Sequence, residues 1–186
     1  MNILAALFFA FWFFGPAGLA NVCAFASGKI RFLKPFNYPA DFGLRFRGKR
    51  VLGNHKTIRG FVIGILAAIF GVYLQVFFYN IFPWQQQLLP INYNAINPWL
   101  LGFLLGFGAL AGDSIKSFFK RQVGIQPGRS WVPFDQIDYI VGGIVFTWFY
   151  VSLVWYQYII LFVVWVLIHP LSTYIGFLFK LRHKPV

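Results

Sequence analysis

Residues 3–26 read ILAALFFAFWFFGPAGLANVCAFA, and no charged side chain precedes Lys29. This run of about two dozen residues exceeds the ~20 that a helix needs to cross a bilayer core. It has no basic segment ahead of it and is long for the apolar part of a secretory leader. It is therefore expected to persist as a spanning helix, softened at Gly15 and Pro16. Further apolar runs cover 60–82 and 98–119. The stretch 139–179, about 41 residues, is too long for one crossing. Divided near 155–157, it supplies spans at about 139–155 and 158–179. The expected fold is all-α: a single polytopic membrane domain over 1–186 with five transmembrane helices.

Composition agrees. The chain is 59% hydrophobic, 22% aromatic and 11% charged, whereas soluble domains are about one-quarter charged. A net charge of +12 in a soluble protein would suggest nucleic acid, but the placement of the bases argues otherwise. Nine lie in 29–59: Lys29, Arg31, Lys34, Arg45, Arg47, Lys49, Arg50, Lys56 and Arg59. Residues 83–97 carry none. Lys116, Lys120, Arg121 and Arg129 surround the third connection, and Lys180, Arg182 and Lys184 close the chain. Bases on alternate connections put the N-terminus outside and the C-terminus in the cytoplasm, with two loops on the cytoplasmic face of the cell membrane. Trp84, Tyr93 and Trp99 are expected as interfacial anchors on the external connection, and the Gln85-Gln86-Gln87 tract as solvated. Cys23 is the lone cysteine, which excludes an internal disulfide and any Cys/His metal spacing. No internal repeat points to an inverted-repeat transporter.

The acids number four, Asp41, Asp113, Asp135 and Asp138, and three of them bracket the third connection. Asp113 follows the small apolar stretch FGALAG at 107–112, and an ionised carboxylate there is costly without partners. Asp135 and Asp138, spaced i, i+3 after Pro133, share one face at the positive end of a helix. Three such carboxylates suit Mg²⁺, which takes a few oxygens plus substrate phosphates. They equally suit structural ion pairs with Lys116, Lys120 or Arg121. Ser117 and Lys120-Arg121 follow one and two turns beyond Asp113 and can share its face. That grouping describes a polyphosphate site, although a juxtamembrane Lys-Arg pair is also a common anchor.

Residues 45–60 read RFRGKRVLGNHKTIRG. Six bases are interleaved with Gly48, Gly53, Gly60 and the hydroxyl of Thr57, a pattern suited to phosphate or to anionic headgroups. The spacing is not that of a Walker A loop. His55 is not needed as a base, because phosphate monoesters are already ionised at neutral pH. His169, before Pro170, reads as a buried hydrogen-bonding residue or a kink partner, and His183 as a tail residue. Asn21, polar within the first span, is placed to bond across helices or line a substrate groove.

Gly112-Asp113, Ser117, Lys120-Arg121 and Pro133-Phe134-Asp135-Gln136-Ile137-Asp138 resemble the signature of CTP-dependent lipid cytidylyltransferases. Ala20-Asn21, Pro39-x-Asp41-x-Gly43, Arg50-x-Leu52-Gly53-x-x-Lys56-Thr57-x-Arg59-Gly60 and Pro127-Gly128 extend the resemblance over nearly the whole chain, to the CDP-archaeol synthase family. A His-Gly-Gly element of the diacylglycerol branch is missing, and its Arg is Gln136 here. Position 54 is Asn where Asp is common in the family, so no metal role falls there.

The resemblance implies transfer of CMP from CTP to a lipid phosphate, unsaturated archaetidic acid, with release of pyrophosphate. It implies Asp113, Asp135 and Asp138 as Mg²⁺ ligands and catalytic groups, together with Lys120. Lys56, Thr57, Arg59, Ser117, Lys120, Arg121 and Gly53 would meet CTP, and Asn21 the lipid groove. The expected partners are CTP, the lipid phosphate and the bilayer, with no nucleic acid; oligomeric state is not encoded legibly. Two rival readings are CDP-diacylglycerol synthesis from phosphatidic acid and a small transporter or lipid-binding membrane protein.

Overall fold

The computed structural model describes residues 2–53, 56–126 and 129–178, with side chains described as far as Ile168. Asn54, His55, Pro127, Gly128, Lys180, Arg182, His183, Lys184 and the His169 side chain lie outside the described residues. Helix α1 covers Ile3–Ser27 and is capped by Asn2, whose side chain accepts from Ala5 N at 2.8 Å. After a 3₁₀ turn at Arg31–Phe36, strands β1 (Arg45–Phe46) and β2 (Lys49–Arg50) form a small antiparallel hairpin. Helix α2 (Ile58–Ile81) starts at Thr57, whose Oγ1 accepts from Gly60 N at 3.1 Å. The short α3 (Pro83–Leu88) precedes α4 (Pro98–Gln122), which Asn97 caps through Trp99 N and Leu100 N. Helices α5 (Phe134–Trp148) and α6 (Trp155–Leu178) complete the bundle.

Helices α1, α2 and α4 are each long and apolar enough to cross a membrane. The outward residues of α1 and α2 are apolar too: Leu4, Phe11, Val22, Phe70, Tyr73 and Phe77 are all exposed. A helix apolar all round suits hydrocarbon rather than water. Phe9, Phe13, Phe14, Val72, Leu101, Leu105, Ile140 and Leu161 fill the core.

Glycines set the closest approaches. A Cβ on Gly108 would lie 2.7 Å from Gly142 O, and one on Gly112 would collide with Asp138 O, so α4 and α5 touch through bare backbone. Trp165 ties α6 to α1, donating from Nε1 to Ala10 O at 2.9 Å and lying where a Cβ on Gly18 would meet its ring at 2.8 Å.

Three sequence expectations need correction. The break in the last apolar stretch falls at 149–154, not 155–157. Polar bonds make it: Gln157 Oε1 accepts from Val154 N at 2.9 Å, and Tyr158 Oη donates to Val151 O at 3.0 Å. A buried glutamine thus caps α6 from inside, and α5 stops after 15 residues, short of the expected span. Tyr93 is not an interfacial anchor but fully buried against Tyr79, 5.4 Å between ring centroids. Finally, the glutamine tract is helical rather than simply solvated: Gln85 is buried, and Gln86 donates to Tyr79 O at 3.2 Å.

Candidate active site

Asp113, Lys116 and Lys120 stand at i, i+3 and i+7 on one face of α4, while Asp135 and Asp138 stand one turn apart on α5. The glycine contact between these helices brings the two sets together. Lys116 Nζ lies 3.2 Å from Asp113 Oδ1, 2.6 Å from Asp135 Oδ1 and 2.8 Å from Asp138 Oδ2. Lys120 Nζ reaches both oxygens of Asp135, at 3.1 and 3.0 Å. Trp131 N donates to Asp135 Oδ2 at 2.6 Å, and Tyr139 N to Asp138 Oδ1 at 2.6 Å.

Lys56 arrives from the first loop and pairs with Asp113. The loop is pinned where it must be to deliver this side chain. Ala40 N donates to Lys56 O at 2.8 Å, and Ile58 N to Tyr38 O at 3.0 Å. Burial pushes the Lys56 ammonium down to about 8, helped by Lys116 and opposed by Asp138 and Asp135.

Asp41 organises the rest of the loop. It accepts from Arg50 Nη2 at 2.7 Å, Leu52 N at 2.8 Å and Gly43 N at 3.0 Å. Burial pushes its carboxyl up, but these bonds together outweigh that and hold it below its ordinary value. The hairpin then docks on the end of α4: Lys49 Nζ donates to Gln122 O at 2.6 Å, and Phe46 packs on Phe118 at 5.8 Å.

Beside the charged cluster opens a cavity of about 770 Å³. Lys56, Thr57, Asp113, Asp135 and Asp138 line its charged end, and Asn21 lies on its wall. Phe11, Gly15, Phe61 and Trp165 make an apolar remainder. Its wall thus joins five helices, with ions at one end and hydrocarbon-like surface at the other.

Not every residue expected at the phosphate end stands there. Arg59 is buried and turned to the 3₁₀ turn, donating to Leu33 O at 2.8 Å and Asn37 Oδ1 at 3.2 Å. Arg121 donates to Ile125 O, at the close of α4, with Gly53 beside it. Ser117 is buried on α4 away from the cavity wall, and Thr57 serves first as the α2 cap. Sequence reasoning treated Lys116 only as an ion-pair partner, placed Asp41 in the family pattern without a role, and missed Trp165. Lys116 carried a signal, a cation one turn from an intramembrane acid.

Carboxylates and ammonium groups at one end of a largely apolar groove, in a bundle with three helices long and apolar enough to cross a membrane, mark the chain as a membrane protein with a charged site. Comparison with known proteins places it further. Residues 2–186 match the family model described as CarS-like, CDP-archaeol synthase. A CDP-archaeol synthase of Methanopyrus kandleri is 33% identical over 94% of this chain and 90% of its own length. One from Thermococcus gammatolerans is 32% identical over 100% and 99%. A solved structure described as an intramembrane enzyme for archaeal membrane lipids biosynthesis aligns with a TM-score of 0.67 at 25% identity, covering 88% of this chain and 91% of that one. The chain belongs to the CDP-archaeol synthase family.

Proposed function

We propose that this protein transfers CMP from CTP to the phosphate of unsaturated archaetidic acid, giving CDP-archaeol and pyrophosphate. The observation that carries the reading is the meeting of three carboxylates and three lysines, of which Lys56, Asp113, Asp135 and Asp138 line one end of a groove whose remainder is largely apolar. Such a site accepts a polyphosphate and a lipid headgroup side by side while the tails lie among the helices. A phosphate oxygen of the lipid attacks the α-phosphorus of CTP, the bond to the β-phosphate bridging oxygen breaks, and pyrophosphate leaves. The scheme uses no covalent nucleophile from the chain. Lys56, Lys116 and Lys120 offset the repulsion between two anions brought together, an effect that gains strength where water is scarce.

The donor set fits magnesium, since three hard carboxylate oxygens approach the single cationic position held by Lys116 Nζ. Among the described residues no group of three acids is arranged as a ready metal cage, so an ion here would need to take part of its shell from substrate phosphates. Asp113, Asp135 and Asp138 would hold it, and it would supply charge stabilisation to the transferring phosphoryl group.

The positions of the bases support five spans with the N-terminus outside and the site at the cytoplasmic face of the cell membrane. The basic first loop and the acid cluster share one end of the bundle, as Lys49 and Lys56 show. Family membership sets aside the transporter reading, and the archaeol-type relatives favour an isoprenoid acceptor over phosphatidic acid. The test is CTP labelled at either the α- or the γ-phosphate. Label from the α-position alone should enter the lipid phase; γ-label in lipid would make the protein a kinase instead.

A further inference from the structure

The side chains in direct contact at the cluster are three carboxylates and three ammonium groups. The ammonium groups are not equivalent. Lys56 pairs with Asp113, and Lys120 with Asp135. Lys116 alone reaches an oxygen of all three acids, within 3.2 Å of each. Its side chain is only 14% exposed, and that of Asp138 only 6%.

We infer that Lys116 is a built-in counter-ion, which stands among Asp113, Asp135 and Asp138 in the ligand-free protein and yields that place to a divalent cation only when a triphosphate arrives. The inference rests on the reading of these acids as metal ligands. A divalent cation alone would add two charges to a balanced, poorly hydrated cluster while competing with a well-placed ammonium. A triphosphate brings the opposite charge and new acceptors, and the flexible four-carbon stem lets the displaced ammonium follow it. Cation and nucleotide affinities are then coupled, each raising the other. Lys116 is thereby a positioning residue for the acids in one state and a phosphate contact in the other.

The test uses purified full-length protein in detergent, with the unfolding midpoint and calorimetric binding followed against Mg²⁺, with and without CTP. Wild-type protein should respond weakly to Mg²⁺ alone and strongly to Mg²⁺ with CTP. Lys116→Gln should bind Mg²⁺ alone about tenfold or more tightly than wild type, within the ordinary range of coupling between sites. Equal or weaker Mg²⁺ binding by Lys116→Gln overturns the counter-ion role alone. No Mg²⁺ response in either protein, even with CTP, strikes the metal reading beneath it. If Lys116→Gln does not fold, Lys116→Gln/Asp135→Asn restores the charge balance and should recover a cooperative transition; a double variant that stays unfolded overturns the inference.

Discussion

Asp138 gives one oxygen to Lys116 and the other to Tyr139 N, and Asp135 is held by two lysines and Trp131 N. Asparagine preserves the shape of either side chain but not its charge. Asp135→Asn and Asp138→Asn should each leave membrane insertion intact and reduce lipid labelling to below about 1% of wild type, the scale seen when one charge-stabilising group is lost. Wild-type turnover in both would contradict the assignment. Lys120→Ala should raise the KM for CTP about tenfold, as loss of a charge-assisted contact implies; an unchanged KM counts against its phosphate role. The residue types were legible because acids are so scarce here that each one stands out. The direction of Arg59 was not, because a guanidinium on a loop goes where the loop's own carbonyls need it, here Leu33 O.

At the scale of elements, the α4–α5 contact decides whether the acids meet at all. Gly112 abuts Asp138 O, and Gly108 abuts Gly142 O. Gly112→Ala forces the helices apart, at a cost of about 1–3 kcal/mol for an overpacked contact. Both the unfolding midpoint and the transfer rate should fall, and a variant with wild-type values in both would show the contact to be slack. The first loop has its own clasp in Asp41 and Arg50. Because the Asp41 carboxyl lies below its ordinary 3.8, its contribution is complete above that value and lost as pH falls through the lower folded value. Protease nicking within 41–52 should therefore rise only in strong acid, and Asp41→Asn should nick readily even at neutral pH. Helix positions were readable from apolar runs, but the break at 149–154 was not. Gln157 and Tyr158 create it through bonds back to the chain, and no glycine, proline or charge marks the spot.

At the scale of the whole molecule, the proposed function needs not only the charged cluster but also the groove. Its walls come from residues far apart in sequence, such as Phe11, Phe61 and Trp165, so its existence could not be seen in any one segment. Gly15 lines it with nothing within 4 Å of its Cβ position. Gly15→Leu should fill that space, raising the KM for a long-tailed lipid about tenfold or more, on the scale of one misplaced side chain in an apolar pocket, with the KM for CTP unchanged. Equal losses for both substrates would mean that the groove does not hold the tails.

The most direct test of the account is a transfer assay with the purified protein in lipid nanodiscs, Mg²⁺ and α-labelled CTP, offered unsaturated archaetidic acid or phosphatidic acid. The account predicts label in the archaetidic lipid in preference to phosphatidic acid, lost without Mg²⁺ and lost in Asp138→Asn. Folded protein that labels neither lipid, or labels them equally well with Asp138→Asn in place, would contradict it.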